Sequence, residues 1–290
     1  MNNTLQNFGI YFTLFKKVGL KRFVISFSSN FGALWLFLEP ASFFLPEKLK
    51  FGFYGYLILV LISLVFAIVQ NFPKISVSCN LSSPDTNIEI KIGDIFQEKG
   101  HLVIGFNDVF DTELGEVIRD SSVQGQFLKQ VYKGKQDNLD VDIESALQEH
   151  IGNRKLDPDK KRGKAWRYPI GTTITLGFYE KRYFLTAYGY MRNDLTVKSN
   201  SDYISTSLDK LWQEVRLKCH GTEVAIPIIG SDLARSGLSR MQLSKLIITS
   251  FVLASKREFI TKKLTLMVYF KDLDSLDFYE LQDFLKSICF

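Results

Sequence analysis

Residues 51–69, FGFYGYLILVLISLVFAIV, run for 19 positions without a charged side chain. A helix of about 20 apolar residues is what the hydrocarbon core of a bilayer requires. The run is apolar on every face, whereas a helix lying on a globular core keeps one polar side. The segment therefore predicts a membrane span. A buried core helix is the competing assignment, and the length of the run weighs against it.

Residues 23–38, FVISFSSNFGALWLFL, are also uncharged, but they are shorter and contain Ser26, Ser28, Ser29 and Asn30. They are read as a second span, with a helix lying at the membrane interface as the alternative. Between the two runs, EPASFFLPEKLK carries Pro40 and Pro46, which predict helix stops on either side of a tight hairpin. Polar residues inside a span mark helix–helix contacts or a water path; the plainer role is that of a weakly hydrophobic helix held by its partner. A signal peptide is not expected, because the first apolar run starts late, a second follows, and Gly32 with Ala33 make a poor cleavage site. Lys16, Lys17, Lys21 and Arg22 precede the first run, and residues 1–38 contain no acid. The positive-inside rule then puts the N-terminus in the cytoplasm, and a hairpin returns the chain to the same side. The expected organisation is a membrane hairpin over 1–74, with spans at about 23–38 and 51–69, and a cytoplasmic domain over 75–290 with a cytoplasmic C-terminus.

The net charge of +5 belongs to the first part. Residues 1–74 hold seven of the 36 Lys/Arg and two of the 31 Asp/Glu, which leaves 29 of each sign in the rest. A neutral domain carries no nucleic-acid footprint, and no nucleic-acid partner is expected. Cys79, Cys219 and Cys289 are far apart, and His101, His150 and His220 are the only histidines. That set has neither metal spacing nor a disulfide pattern, so no metal site is predicted, and free cysteines suit a reducing compartment.

From about residue 75 the pattern alternates. Strand-like runs occupy 75–81, 88–94, 101–107, 172–179, 182–190, 223–230 and 264–270, and helix-like stretches about 113–132, 142–151, 201–220, 239–255 and 276–288. In the third helix Leu208, Leu211, Trp212, Val215 and Leu217 are expected to form a core-facing stripe. Alternation of this kind predicts an α/β domain, a mixed sheet covered by helices on both faces. Ligands of such sheets sit beyond the carboxyl ends of the strands. The stretch 152–169, GNRKLDPDKKRGKAWRYP, holds seven basic residues and reads as a solvated loop, or as a contact for anionic lipid headgroups.

Three strand-end signals follow in order: IGDIF at 92–96, VIGFND at 103–108, and IPIIGSDLARSGLS at 226–239, which leads into a helix. In that order they resemble the macro domain, over about residues 75–290. The resemblance implies a three-layer α/β/α domain that binds ADP-ribose. A macro domain behind an N-terminal membrane hairpin is similar, over the whole chain, to the macro-domain membrane effectors of the Thoeris anti-phage system.

The resemblance implies the following site. Asp94 and Ile95 match the Gly-Asp-Ile motif that holds adenine, the carboxylate accepting from the exocyclic amine; the alternative for Asp94 is a helix cap. Asn107 matches the asparagine that faces the distal ribose, with a turn residue as the alternative. Ser122, Val123, Gln124, Gly125, Gln126 and Phe127 match the first phosphate-side loop. Here the chain departs from the family, because DTELGEVIRDSS stands where other macro domains carry a run of glycines. Ile229, Gly230, Ser231, Asp232, Leu233, Ala234, Arg235, Ser236, Gly237 and Leu238 match the second phosphate loop. Gly230 and Gly237 allow close backbone approach, successive N–H groups form an anion nest, and the next helix N-terminus adds its dipole. Arg235 or Arg240 is a candidate to reach the ligand's charge, with a surface role as the alternative. Phe270 stands where an aromatic stacks on adenine, or else serves as an ordinary core residue.

The implied activity is that of a multi-pass inner-membrane effector without catalysis of its own and without a cofactor. Its ligand is a small nucleotide signal, histidine–ADP-ribose or another ADP-ribose derivative, made from NAD by a partner TIR-domain enzyme. Binding leads to homo-oligomerisation, disruption of the lipid bilayer and abortive infection. Two alternatives remain: a membrane-anchored ADP-ribosyl hydrolase built on Asn107 and a water, and a tether that reads ADP-ribosylated partners.

Overall fold

The computed structural model of the chain describes residues 11, 13, 14, 20–44, 52–72, 74–231 and 236–289. The chain divides into two compact units, Met1–Ile75 and Ser76–Phe290.

In the first unit, among the described residues, two long helices pack together, α1 (Leu20–Phe44) and α2 (Phe53–Gln70). By length and composition α2 is able to cross a bilayer, and it is the only such helix among the described residues. Its buried positions, Leu59, Ser63 and Ala67, recur every four residues and so form one narrow stripe. The Ser63 hydroxyl is satisfied within the helix, donating to the Leu59 carbonyl at 2.8 Å. Asn30 and Gln70 exchange amide hydrogen bonds at 3.0 and 3.1 Å, and Phe31 meets the ring of Tyr56 at 5.9 Å, so the polar residue inside the first run serves as a helix–helix contact. Most other apolar side chains of both helices, among them Phe37, Ile58 and Leu61, face outward. The expected helix stop at Pro40 is corrected. Pro40 lies inside α1, which continues to Phe44. Proline removes one intrahelical hydrogen bond and crowds the carbonyl four residues back, a local loss that a 25-residue helix tolerates near its end. Pro46 lies outside the described residues.

The second unit is built on one mixed sheet. Its strands are β1 (Ser76–Ser82), β2 (Asp85–Ile92), β3 (His101–Asn107), β6 (Thr173–Phe178), β7 (Lys181–Met191), β8 (Val197–Lys198), β9 (Val224–Pro227) and β10 (Lys263–Val268). The order is β1-β2-β10-β9-β3-β7-β6, with β8 paired to β7. The five strands β2, β10, β9, β3 and β7 run parallel, and β1 and β6 close the two edges antiparallel. The short strands β4 (Lys155–Leu156) and β5 (Trp166–Arg167) pair separately as a small hairpin.

The central strand β3 is buried along almost its whole length, which is why its sequence, HLVIGFN, reads as a nearly continuous apolar run. Leu102, Ile104 and Phe106 face a core shared with α3 (Val123–Gln130) and α4 (Gln136–Ala146), where Phe127, Leu128, Leu139 and Ile143 are buried. Helices α5 (Ser201–Lys218) and α6 (Arg240–Arg257) pack on each other, α5 lies against β6 and β7, and α7 (Phe278–Ile288) packs beside α6 and β1. The result is the predicted three-layer α/β/α arrangement.

Two predicted helices shift. The stretch 113–132 is helical only from Val123. Leu114, Val117 and Ile118 mimic a helical stripe, but Gly115 at φ +101° turns the chain, and these three pack as a loop against Met191. The helix expected at 142–151 is α4, which starts earlier, at Gln136, and passes into a 3-10 turn over Leu147–Asn153. In α5 the core stripe is Ile204, Ser207, Leu208, Leu211, Trp212 and Val215. Leu217 is 65% exposed, because two residues beyond Val215 the helix has turned about 200°.

Candidate functional site

Because β2, β10, β9 and β3 are neighbours and parallel, their carboxyl ends lie along one edge of the sheet. The register aligns them: Val268 pairs with Ile92 and Met267 with Pro227. Four segments distant in sequence therefore share this edge: Gly93–Ile95 after β2, Phe270 after β10, Ile228–Ser231 with Ser236–Leu238 after β9, and Asn107–Asp111 at the end of β3.

On the β2 side, Asp94 is half-buried, and its Oδ1 accepts from the Phe96 N–H at 3.0 Å, capping the short 3-10 turn Ile95–Gln97. Ile95 is buried in the core. Asp94 thus performs the capping role weighed for it. Phe270 opens the 3-10 turn that follows β10 and is half-buried, its ring 4.4 Å from that of Tyr269.

After β9 the strand stops at Pro227, earlier than predicted. Ile228, Ile229 and Gly230 are buried, and Gly230 has φ +82°. A side chain on Gly230 would meet Ile204 Cδ1 at 2.8 Å as well as forcing the left-handed backbone that L-residues avoid, so the position demands glycine. Ser236 Oγ donates to the Gly230 carbonyl at 3.2 Å and accepts from the Leu238 N–H at 3.4 Å, which ties the loop's ends together. Gly237 is exposed, and its own φ is +74°. Ser231 is half-buried; Asp232, Leu233, Ala234 and Arg235 lie outside the described residues. Helix α6 then starts with a complete capping box, Ser239 to Gln242. The candidate Arg240 pairs with the turn that Phe270 opens, its Nε 3.2 Å from Asp272 and its guanidinium also donating to Ser275 at 3.1 Å.

The β3 side is built differently. Asn107 is buried, and its Oδ1 accepts from the Val109 and Asp111 N–H groups, both at 3.2 Å, while its Nδ2 donates to Asp111 at 3.4 Å. Its amide braces the turn. Ser122 caps α3, accepting from the Gly125 N–H at 3.0 Å, and Gln124 donates its amide to the Asp111 carbonyl. Val123 packs on the core, Gln126 donates to Ser121 at 3.1 Å, and Phe127 is fully buried against Tyr132 and Tyr183.

The reading of 152–169 as a solvated loop holds for most of its residues, Lys155, Lys161 and Arg162 among them, and is corrected for Lys160, Lys164 and Arg167. The β4–β5 hairpin folds back over the end of β3. Arg167 bridges Asp108 at 2.6 Å and Asp157 at 2.7 Å and stacks on Tyr190. Lys160 Nζ stands 3.6 Å from Asp111, with the two side chains 0% and 1% exposed, and the Lys164 N–H donates to the other Asp111 oxygen at 2.7 Å. Lys164 Nζ pairs with Asp140 at 2.5 Å, and the same Asp140 oxygen accepts from Thr112. Arg162 pairs with Glu116. Asp108, Asp111 and Glu116 of the FNDVFDTELGE segment, with Asp140 and Asp157, take up the bases, because opposite charges brought together by the fold lower each other's burial cost. Burial pushes the carboxyls of Asp108 and Asp111 up from the ordinary range, against the pull of their basic partners. Asp157 is held below its ordinary value by its hydrogen bond to Arg167.

Sequence reasoning missed Asp108, Asp111, Asp140, Lys160, Lys164 and Arg167. The available signal was charge complementarity: an acidic segment after one strand and a basic segment some 50 residues on.

Residues 88–269, well over half of the chain, match the family model described as Thoeris protein ThsA, macro domain. The chain belongs to this family. Thoeris protein ThsA of Bacillus amyloliquefaciens (strain Y2) is 29% identical over 242 residues, covering 80% of this chain and 79% of that protein. Among solved structures, a point mutant of the Oceanobacillus iheyensis macrodomain aligns with a TM-score of 0.50 at 15% identity, over 73% of this chain and 98% of that one. The same macrodomain with ADP aligns at 0.49 and 17%, over 73% and 97%. The fold is that of a macro domain. Within the ThsA macro-domain family the matched region begins in β2 and ends just past β10, so it spans nearly the whole carboxyl edge, all but Phe270. His101, by contrast, sits buried at the amino end of β3, on the opposite edge from Asn107.

Proposed function

We propose that this protein is an anti-phage membrane effector whose sheet domain, residues 75–290, binds an ADP-ribose-derived signal. The observation that carries the reading is the glycine turn at Gly230. It is a buried left-handed position that excludes a side chain, at the carboxyl end of a central strand, shortly before a capped helix. A glycine turn that leads into a helix N-terminus is a place where backbone N–H groups can form an anion nest suited to a diphosphate. Asp94 and Ile95 would hold adenine and Phe270 would stack on it. Ser122–Phe127 and Ile229–Leu238 would flank the phosphates, and the end of β3 near Asn107 would take the distal ribose.

The signal is proposed to be histidine–ADP-ribose supplied by a TIR-domain enzyme. Residues 1–74 are proposed to be a two-span hairpin in the inner membrane, with both termini cytoplasmic, although only α2 meets the length and composition of a span by itself. Ser76 pairs with Lys91, so the chain enters the sheet at the same edge as Asp94. Bound domains would then associate and the hairpins cluster to breach the bilayer. The reading assigns no catalysis: the Asn107 amide is spent on its own turn.

Calorimetric titration of residues 71–290 with ADP-ribose and with histidine–ADP-ribose tests the reading. Binding of the conjugate, with association of the domains on saturation, is expected. Failure of both ligands to bind would remove the nucleotide site.

A further inference from the structure

The β4–β5 hairpin has an inner and an outer face. Inward, Lys160, Lys164 and Arg167 are spent on acids. Of the other four bases in 152–169, Arg162 is offset by Glu116, Lys155 and Lys161 are exposed, and the guanidinium of Arg154 lies 3.9 Å over the ring of Trp166. Asp159 is the one exposed acid of the segment. Leu156 and Trp166 stand opposite each other in the ladder, so they share one face, and they are 55% and 40% exposed. A leucine and a tryptophan rimmed by cations suit a lipid interface, where the ring sits at headgroup level and long basic side chains reach the phosphates.

The hairpin is also on the right edge. The Tyr168 N–H donates to the Asp108 carbonyl at 2.8 Å, which fixes the hairpin over the carboxyl end of β3. Because β1 runs antiparallel to β2, the chain enters β1 at that same carboxyl edge. Residues 71–75 alone join α2 to β1, a reach of at most about 20 Å when fully extended. With α2 in a bilayer, the edge that carries the hairpin begins within that distance of the headgroups.

We infer that the outer face of the β4–β5 hairpin docks on the anionic phospholipids of the bilayer that anchors the chain, with Trp166 and Leu156 in the interface and Arg154, Lys155 and Lys161 on the phosphates. The inference rests on the membrane reading of α2 and adds a second contact, made by the sheet domain itself. A second copy is the poorer occupant, because two cationic faces repel. Each base near an anionic leaflet favours contact roughly fivefold, so Lys155 and Lys161 together contribute roughly 25-fold.

The test uses the full chain in nanodiscs of phosphatidylcholine with and without phosphatidylglycerol, each with brominated acyl chains that quench tryptophan on contact. Of the three tryptophans, Trp35 sits in α1 and Trp212 is buried in the sheet domain. Trp35→Phe and Trp166→Phe isolate the first and the hairpin's own. Trp166 should be quenched in the phosphatidylglycerol discs and far less without that lipid. Lys155→Glu combined with Lys161→Glu should abolish the quenching of Trp166 and spare that of Trp35. Thermal unfolding shows whether the double variant is folded; should it not fold, the dependence on phosphatidylglycerol decides alone. An unquenched Trp166 beside a quenched Trp35 overturns the inference and leaves the membrane reading standing. Equal quenching of Trp166 in both lipids, or quenching unmoved by the charge reversal, overturns it as well. Failure of both Trp35 and Trp166 to be quenched overturns the membrane reading too.

Discussion

The two halves of the carboxyl edge are held together by opposite means. After β2, β10 and β9 the chain is shaped by local turns and caps: a capped 3-10 turn at Asp94, a left-handed Gly230, and a capping box at Ser239. After β3 it is shaped by side chains, with Lys160, Lys164 and Arg167 tied to Asp108, Asp111 and Asp140. A backbone-built half presents N–H groups to whatever anion arrives and discriminates little. A side-chain network has a fixed arrangement of charge and discriminates sharply, at the cost of burying ions. On the proposed reading, the phosphates would meet the first half and the distal ribose the second.

Four measurements break or sharpen that contrast. The largest effect is expected from Lys160→Met, which strands Asp111 in a buried site and should lower unfolding stability by about 3–5 kcal/mol. Adding Asp111→Asn should recover part of the loss in denaturant titrations. A cost no larger than that of a surface substitution would mean that buried charge does not hold the β3 half. Next, Gly230→Glu forces a side chain onto Ile204 and puts a negative charge in the proposed phosphate nest. Like charges at a contact cost several kcal/mol, so ligand affinity should fall about a hundredfold or more. Normal binding by this variant would show that the glycine turn is a turn and nothing else.

Asp94→Ala should reduce affinity about tenfold, with a loss near 1 kcal/mol in stability from the missing cap. Lost stability with full affinity would leave Asp94 as a cap only. The smallest effect lies at the opposite edge, at His101. Burial lowers its pKa from the ordinary 6.5, so as pH falls below that value the unfolded chain takes up a proton that the folded one refuses. The domain should lose stability as pH drops through this window, and His101→Gln should flatten that part of the profile without altering ligand binding. An unchanged pH profile would contradict the burial argument.

How much of this was legible follows the same division. The strand at 101–107 is recovered residue for residue, because a strand covered on both faces writes itself as an apolar run. The Gly230 turn was visible because turn chemistry involves residues a few positions apart. The helix expected over 113–122 was not there: Leu114, Val117 and Ile118 have helical spacing, but their partner is Met191 in β7, more than 70 residues on. The first helix ran past Pro40 because one missing hydrogen bond is minor beside the rest of a 25-residue helix.

Local chemistry thus settled the order of strands and helices, the apolar run of α2, the glycine turn and the family resemblance. Tertiary structure alone decided that Lys160, Lys164 and Arg167, three of the seven bases of 152–169, are drawn out of water onto buried or half-buried acids. Lys160 and Arg167 find Asp111 and Asp108 49 and 59 positions away, and those distances become short only after β3 and β7 have paired and carried both segments to one edge of the sheet. Hydrophobic period and turn propensity are properties of neighbouring residues. An ion pair's worth depends on burial and on where its partner arrives, and no window of sequence contains either.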